Sequence, residues 1–341
     1  MELNKINYKY SDYVLKKYFF SVGNEQGFLN NNNNSVLIGV SGGGDSVALL
    51  WMFKKFYADK KIIVAHINHN IRNNSNDDAE FVKNLCAEWN LKFILSNVDI
   101  NSEKLKGESV ETSARRIRQQ KLINIAENNN IDSIILGHNL NDMAETVLFN
   151  ILRGTGIRGA AGILPVNEIA GIKFYRPLIN LTREYLREIL RLRNIKWCED
   201  YTNNDTDYTR NFIRLKLIPF IEENINPGVI NHLADFGQDL RILRDHEELK
   251  GHELLKLAKL ENDKKLLRLN IKFLRRLSDY ERKLLIRESG RELNLITLSR
   301  NKCEKFSELI KKSGSFEFQW GGGIFVTASE GVLTYERNNR T

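Results

Sequence analysis

Ser35-Val-Leu-Ile-Gly-Val-Ser-Gly-Gly-Gly-Asp-Ser46 starts as an apolar run, turns through three glycines and leads into a segment of helical period that ends near Tyr57. A short apolar run bounded by glycine is typical of a buried strand, so the sequence predicts a strand over 35–40 and a helix over 46–57. Strand, glycine turn and helix together present free backbone N–H groups to an anion, and glycine lets a phosphate approach the backbone closely. We call residues 41–46 the glycine loop and expect it to bind phosphate.

The same alternation of apolar run and helix-period segment continues to residue 153. Further strands are predicted over 61–67, 92–95 and 132–136, and further helices over 76–89, 110–128 and 141–153. Continuously apolar strands that alternate with helices predict a parallel sheet that is covered on both faces. We therefore predict a doubly wound, Rossmann-like α/β domain, in which ligands bind beyond the carboxyl ends of the strands.

The pattern changes after Arg176-Pro177-Leu178, and helices are then predicted over 182–194 and 208–223 with a polar turn over 199–207. The breaker Asn226-Pro227-Gly228 predicts a domain boundary, so we expect domains over 1–225 and 226–341. The second domain is expected to be smaller and mainly helical, over 231–260 and 278–288. Terminal strands are predicted over 323–327 and 331–335.

The chain is basic, with a net charge of +8 and a pI of about 9.2. Lys and Arg outnumber Asp and Glu by 22 to 17 from Asn226 onward and by 29 to 26 before it. The smaller second domain is thus the more basic one. That excess of positive charge favours a polyanionic partner such as RNA, although solvated lysine-rich faces produce the same net charge without a partner.

The sequence carries no signal for a metal knuckle, a secreted protein or a membrane span. Its three cysteines, Cys86, Cys198 and Cys303, form no C-x-x-C pair, and the odd, sparse count suits a reducing compartment. Met1 to Phe20 lacks the apolar core of a signal peptide, and no run reaches the roughly 20 apolar residues of a membrane helix. We expect a cytoplasmic protein, or one in the soluble compartment of an organelle such as a plastid stroma.

The glycine loop allows two interpretations when it is taken alone. Ser41 and Ser46 offer hydroxyl donors, and a carboxylate at Asp45 beside phosphates implies a bridging cation such as Mg²⁺. The alternative is a tight turn with a capped helix, which is about equally common. A Walker A loop is excluded because no lysine follows the glycines, and Gly154 to Gly159 matches G-x-G-x-x-G only after a helix. We interpret that second glycine cluster as a loop that contacts nucleotide or RNA.

Polar residues follow the other predicted strands at the same edge of the sheet. His138 ends one strand, and Asp142 and Glu145 share a helix face at i, i+3. Acids at a helix start also complement its dipole, which explains them without a site. A buried polar strand end likewise explains His66 with Asn68 and His69, and solvated helix faces explain Arg115 with Arg118 and Arg210 with Arg214.

Taken together, these segments resemble a known family. The glycine loop matches the SGGxDS loop of the N-type ATP pyrophosphatases, and the remaining segments are similar to those of the tRNA(Ile)-lysidine synthetases. They run in the family's order over roughly residues 35 to 220. The segments are Ala65 to Arg72, Glu111 to Arg118, Gly137 to Thr146, Arg153 to Gly156, Arg176 to Leu178, and Asp200 to Pro219 with Tyr208-Thr209-Arg210-Asn211.

The resemblance implies an ATP pyrophosphatase-type domain that adenylates a tRNA base. The substrates implied are ATP with Mg²⁺, free L-lysine and tRNA(Ile) with a CAU anticodon, bound in part by the basic domain over 226–341. A membrane is not expected, and the oligomeric state stays open, a dimer included. The catalytic residues implied are Asp45, Asp142, Glu145, Arg118 and Arg210, with Asp45 as the metal ligand. The residues implied for ATP are Ser41, Gly42, Gly43, Gly44, Asp45, Ser46, His66, His138 and Arg115.

Three other functions compete with this one. A related tRNA thiolation enzyme would need cysteines near the site, whereas Cys86 falls within a helix and Cys198 stands alone in the sequence. A small-molecule amidating synthetase of the same superfamily would not need the basic domain. A non-catalytic RNA-binding module would not need intact Asp45, Asp142 and Glu145.

Overall fold

The computed structural model describes residues 8–28, 34–68, 75–199, 209–260 and 267–337. The chain forms two compact units, Met1–Gln238 and Asp239–Thr341. The breaker at 226–228 ends one helix, but the helix that follows packs Ala234 against Met143 and Val147 of the first unit. The division therefore falls inside that helix, at 238/239, later than the expected boundary at 225/226.

The first unit alternates strands and helices over most of its length. Its strands are β1 (Ser35–Gly39), β2 (Lys61–Asn68), β3 (Lys92–Asn97), β4 (Ser133–Leu136), β5 (Val166–Ile169) and β6 (Ile172–Tyr175). Its helices are α1 (Asp12–Gln26), α2 (Gly44–Phe56), α3 (Ser75–Glu88), α4 (Ile100–Glu103), α5 (Val110–Asn128), α6 (Leu140–Leu152), α7 (Ile157–Ala160), α8 (Arg183–Arg191), α9 (Thr209–Phe212) and α10 (Ile218–Asn224). A π-helical segment, Ile213–Leu217, separates α9 from α10, and α11 (Val229–Ala258) begins in this unit.

The six strands form one sheet in the order β3-β2-β1-β4-β6-β5. All neighbours pair in parallel except β5 and β6, which form an antiparallel hairpin at the edge. Helices cover both faces, as the alternation of β1 shows. Val36 and Ile38 pack into a core shared with α1, α2, α3 and α8, whereas Leu37 packs into a core shared with α5. The predicted doubly wound fold is confirmed.

Helix α1, the edge hairpin and the short helices α4 and α7 were not expected from the sequence. Helix α1 is capped by Ser11 and buries Leu15 and Phe19. The lysines between these two residues obscure the helical period of the apolar positions in the sequence. The edge hairpin turns through Ala170 and Gly171, both at positive φ, and its strands of four residues are too short for a periodic signal.

The second unit combines helices with an antiparallel sheet of order β7-β10-β9-β8. The predicted terminal strands are β9 (Ile324–Ser329) and β10 (Val332–Arg337), and the two predicted helices are α11 and α13 (Asp279–Glu292). The unexpected elements are β7 (Leu267–Asn270), α12 (Ile271–Arg276), α14 (Arg300–Lys311) and β8 (Phe316–Gly321). Within the described ranges, no helix combines the length and the apolar character that a membrane crossing requires.

The sheet order places a crevice between β1 and β4. Chain connections leave these two neighbouring strands in opposite directions, from β1 to β2 on one side and from β4 to the β5–β6 hairpin on the other. Ligands of such sheets bind at this switch point. The glycine loop follows β1, and Gly137 follows β4. A Cβ on Gly137 would stand 3.1 Å from the Cα of Ser46, so a side chain there would press on the backbone of α2 where the two strand ends meet.

Candidate active site

The glycine loop folds as an open turn before α2. Gly42 has a φ of +95°, a left-handed conformation that favours glycine. The hydroxyl of Ser46 donates to the carbonyl oxygen of Gly43 at 2.9 Å, and its Oγ lies 3.2 Å from the Oγ of Ser41. The residue at the N-cap is Gly43, which has no side chain to bond the first N–H groups of the helix. No side chain therefore caps this helix, and its start suits an anion.

Asp45 points into a cluster of charged side chains. Its Oδ2 lies 3.6 Å from the Nε of Arg183, whereas its Oδ1 is buried without a hydrogen-bond partner in the described part of the chain. Burial raises the pKa of Asp45 to about 6, and the negative charge of Asp142 adds to this against the opposing charge of Arg183. A carboxylate oxygen of this kind is suited to a cation.

Asp142 and Glu145, which we call the acid pair, lie in the first turns of α6. Asn139 caps this helix in a capping box, in which the N–H of Asp142 donates to Asn139 Oδ1 at 3.0 Å and the N–H of Asn139 donates to Asp142 Oδ2 at 3.1 Å. Glu145 is 1% exposed, and its Oε2 is buried without a hydrogen-bond partner among the described residues. Asp142 thus serves the helix cap as well, while Glu145 retains an open acceptor.

Two arginines bind the acid pair from different elements. The Nη2 of Arg183 lies 3.2 Å from Asp142 Oδ1 and 3.1 Å from Glu145 Oε1. Arg214 reaches the same two oxygens, with its Nη2 at 3.2 Å and its Nε at 2.8 Å. Asp45 and the acid pair, together the acid cluster, are therefore brought together as the sequence predicted.

Arg183 was not among the predicted site residues. It is the first residue of α8, after the cap residue Thr182. A positive charge at the first turn of a helix opposes the helix dipole, and this local conflict was the signal in the sequence. Arg214 lies four residues after Arg210, but the sequence alone does not assign it to the site.

Arg210 and Arg214 extend from the segment that contains the π-helix. Arg214 lies within it, and Arg210 in α9 donates from Nη2 to the Oγ1 of Thr146 at 2.5 Å. Segments of π-helix often occur at functional sites, because the extra residue redirects neighbouring side chains. Here both arginines face α6, so they do not form a merely solvated stripe.

A second group of positive charges surrounds His138. Burial, together with the charges of Arg176, Arg118, Arg115 and Arg210, lowers the pKa of His138 well below its ordinary value. Its ring is therefore neutral at pH 7, and its Nδ1 is buried without a hydrogen-bond partner in the described ranges. Burial and the charges of Arg115 and Arg118 also lower the pKa of Arg176 to about 10. Such a concentration of positive charge is suited to a phosphate.

The remaining predicted residues differ in their placement. His66 is buried at the end of β2, where its Nδ1 lies 2.9 Å from the carbonyl oxygen of Val40, directly before the glycine loop. Arg116, between Arg115 and Arg118, forms an ion pair with Glu108 at 3.0 Å on the surface instead. The interpretation of Gly154 to Gly159 as a loop is wrong in part, because Ile157–Ala160 is helical. His69 to Arg72 and residues 200–208 lie outside the described residues.

The acid cluster suits a metal that is shared with phosphates more than a metal held by protein alone. In the described ranges, no group of three or more His, Cys, Asp or Glu side chains is arranged to hold an ion. Mg²⁺ commonly binds through one or two carboxylates together with substrate phosphates and waters. The unpartnered Oδ1 of Asp45, beside an anion-binding loop, fits that mode.

The cysteines do not form a shared centre in the described residues. Cys86 is buried in the core of the first unit, and Cys303 in that of the second. Cys198 lies beside the glycine loop, where its N–H donates to the carbonyl oxygen of Gly42 at 3.0 Å, a proximity that the sequence did not reveal. Burial and a hydrogen bond to Asp78 raise the pKa of the Cys198 thiol to about 12, so it is not poised as a thiolate.

Comparison with known proteins finds relatives over about two thirds of this chain. A tRNA(Ile)-lysidine synthase of Clostridium perfringens is 35% identical over 231 residues, which are 65% of this chain and 49% of that protein. The tRNA(Ile)-lysidine synthase of Thermotoga maritima is 40% identical over 216 residues, which are 62% of this chain and 51% of that protein. The chain thus spans about half the length of the curated relatives that it matches.

A solved structure shares the fold at low sequence identity. The U34-tRNA thiolase NcsA from Methanococcus maripaludis, determined with its [4Fe-4S] cluster, has a TM-score of 0.54 and 18% identity over 66% of this chain and 78% of that one. A family model described as the PP-loop domain matches residues 17–221, which contain the glycine loop, the acid cluster and the arginines around it. The chain belongs to the PP-loop domain family.

Proposed function

We propose that this protein ligates free L-lysine to C2 of the wobble cytidine of tRNA(Ile) with a CAU anticodon, at the expense of ATP. The names of its relatives support this proposal. One observation carries it: Asp45 and Glu145, on different helices, each keep a buried carboxylate oxygen without a partner among the described residues. Two such oxygens beside an anion-binding loop provide one place for a metal on ATP and another for an amine.

The first step transfers AMP to the base. The C2 oxygen of cytidine is a poor leaving group and must be activated before an amine can replace it. It is activated by attacking the α-phosphorus of ATP, and pyrophosphate departs. The start of α2 would bind the phosphates, and the arginines around His138 would neutralise their charge. Neutral His138 offers a hydrogen-bonding nitrogen without adding a further positive charge. Asp45 would hold Mg²⁺, which supplies charge neutralisation on the phosphates when it is bound.

The second step forms the carbon–nitrogen bond. An amine of lysine attacks C2, the bond from C2 to the adenylated oxygen breaks, and AMP departs with that oxygen. Glu145 Oε2 would accept the hydrogen bond of the incoming ammonium and then its proton. The oxygens of Asp142 are already bonded to Asn139, Arg183 and Arg214, so Asp142 orients the site while Glu145 is the acceptor.

The competing functions fit the geometry less well. Thiolation through a persulfide requires a reactive cysteine, and the raised pKa of Cys198 opposes this. A non-catalytic RNA-binding module has no need for the buried, partly unpartnered acid cluster, which is costly to keep.

The test is lysine transfer by the full chain. The protein is incubated with Mg²⁺, ATP, radiolabelled lysine and a transcript of tRNA(Ile) with a CAU anticodon. A matched transcript carries uridine at the wobble position, and a third reaction omits ATP. We expect label in the first transcript alone, with one AMP released per lysine incorporated. Folded protein that leaves the CAU transcript unlabelled would overturn the proposal.

A further inference from the structure

Arg183 occupies a position that local electrostatics disfavours. As the first residue of α8 it places a positive charge where the helix dipole is also positive. The chain nevertheless ties this point to the start of α6: the N–H of Arg183 donates to Asn141 Oδ1, and the N–H of Leu140 donates to the carbonyl oxygen of Leu181, both at 2.9 Å. The two helix starts are therefore held together, and the side chain of Arg183 is directed at the acid cluster.

The three carboxylates of the acid cluster do not depend on Arg183 equally. Asp142 and Glu145 each have a second arginine, because Arg214 reaches the same oxygens. Asp45 has no such duplicate, since in the described part of the chain Arg183 is the one cation within ion-pair distance of it. The contact to Asp45 is also the longest of the three, at 3.6 Å against 3.2 and 3.1 Å.

We propose that Arg183 is a positioning residue that joins the nucleotide side of the site to its amine side. Its guanidinium holds Asp45, on α2, in register with Asp142 and Glu145, on α6. The planar fork of arginine can serve carboxylates in several directions at once, which a lysine ammonium on a flexible stem does less well. A metal bound by the open Oδ1 of Asp45 would leave the contact of its Oδ2 to Arg183 in place, and Arg183 would remain bonded to the acid pair. This inference rests on the proposed function for the identity of the amine.

The two arginines provide a matched comparison. Both Arg183→Gln and Arg214→Gln remove one cation from Asp142 and Glu145, but only the first also removes the cation beside Asp45. Calorimetry on the full chain measures the binding of free lysine and of α,β-methylene-ATP with Mg²⁺. We expect Arg183→Gln to weaken nucleotide binding about 10-fold, because losing a charge-assisted contact costs roughly 1.4 kcal/mol. Arg214→Gln should change nucleotide binding less than about 2-fold, because Arg214 pairs with Asp142 and Glu145. Both variants should weaken the binding of lysine.

Two further variants complete the test. Arg183→Lys keeps the charge without the fork and should recover part of the nucleotide affinity. Arg191 lies on the same helix and pairs with exposed Glu184. Arg191→Gln should therefore change neither the nucleotide affinity nor the lysine affinity. Circular dichroism at the assay temperature verifies that each variant is folded, and a variant that is not folded is measured at a lower temperature beside the wild type.

The outcomes separate this inference from the proposed function. Equal nucleotide affinities of folded Arg183→Gln and Arg214→Gln would overturn the positioning role. A wild-type chain that binds the nucleotide analogue but neither binds nor transfers lysine would remove the proposed function, while the nucleotide measurements would still decide the role of Arg183. A wild-type chain without nucleotide binding would overturn both.

Discussion

Asp45 and Glu145 are both buried acids, yet their surroundings differ at the level of single atoms. Glu145 bonds two arginines through one oxygen, whereas the ion pair of Asp45 with Arg183 is longer, at 3.6 Å. Burial and the charge of Asp142 therefore raise the pKa of Asp45 to about 6. This value lies close enough to neutral pH to have consequences for metal binding.

The binding of ATP with Mg²⁺ should weaken as the pH falls from 7.5 to 5. The pKa of Asp45 is raised from its ordinary value of 3.8, so the carboxylate that we propose as the metal ligand is present above about pH 6 and is lost as the pH falls through it. We expect about a 10-fold loss of affinity at limiting Mg²⁺ by pH 5, one unit below that pKa, as measured by calorimetry.

The control for this prediction is Asp45→Asn. ATP itself takes up a proton in the same range, so the quantity tested is the difference between the two proteins. Asp45→Asn should bind weakly at pH 7.5 and show the smaller pH dependence. Parallel pH profiles would show that Asp45 does not hold the metal.

Glu145→Gln should separate lysine binding from nucleotide binding. It keeps the shape of the side chain but removes the charge that faces an incoming ammonium, and a hydrogen bond to a charged group contributes roughly 1.5–3 kcal/mol. Affinity for lysine should fall about 10- to 100-fold, while affinity for ATP changes less than about 3-fold. Glu127→Gln, at an exposed site near the end of α5, is the matched variant that should bind both ligands normally. Unchanged lysine binding by Glu145→Gln would exclude it as the ammonium acceptor.

At the scale of the element, the first turn of α6 contributes both a helix cap and a member of the acid cluster. Asn139 and Asp142 form its capping box, and the second carboxylate oxygen of Asp142 belongs to the acid cluster. The dipole interpretation and the functional interpretation of these acids are thus compatible. The helix start fixes Asp142, and through it the arginines, so the cap contributes to the geometry of the site.

The capping boxes of α6 and α13 allow these tasks to be separated. Asn139→Ala and Ser278→Ala each remove a cap residue, which costs about 1 kcal/mol of unfolding free energy in a range of roughly 0.5–2. Only Asn139→Ala should also weaken lysine binding, by about 5-fold, because it releases Asp142. Denaturant titration and calorimetry measure the two effects. If the two variants bind lysine equally well, the Asn139 cap contributes to stability and not to lysine binding.

At the scale of the whole molecule, positive charge is distributed unevenly along the chain. The excess of Lys and Arg is larger from Asn226 onward than before it, although that part is shorter. In the second unit Arg276, Lys302 and Lys305 are exposed and have no ion pair to a described residue. The binding of tRNA by this unit, which the sequence predicts, would use residues of this kind.

Replacing Arg276, Lys302 and Lys305 together with glutamine should reduce the salt dependence of tRNA binding. Each phosphate contact that is lost lowers the slope of log affinity against log salt by about 0.7–0.9. A matched triple variant of exposed lysines in the first unit, Lys16, Lys17 and Lys83, should lower it less. Filter binding between about 50 and 200 mM salt measures both slopes. A larger effect from the first-unit variant would place the main tRNA contacts outside the basic unit.

The sequence determined the parallel sheet and the place of its site. Uninterrupted apolar runs such as those of β1, β2 and β4 are stable when they are buried between two layers of helices, and the glycines after β1 mark where an anion can approach. It did not reveal the edge hairpin, β7 or β8, because strands this short or this mixed in composition have no distinct period.

Only the tertiary structure decided how the acids are used. Asp45, Asp142 and Glu145 were identified from local patterns, but whether each oxygen has a partner depends on Arg183 and Arg214, which are remote from them in sequence. Ion pairs across such separations leave no trace in periodicity. The sequence thus identified the acidic residues that the fold brings together. Packing α8 and the π-helical segment against α6 decided that Glu145 and Asp45 each retain an open oxygen, because a buried charge is defined by all its neighbours at once.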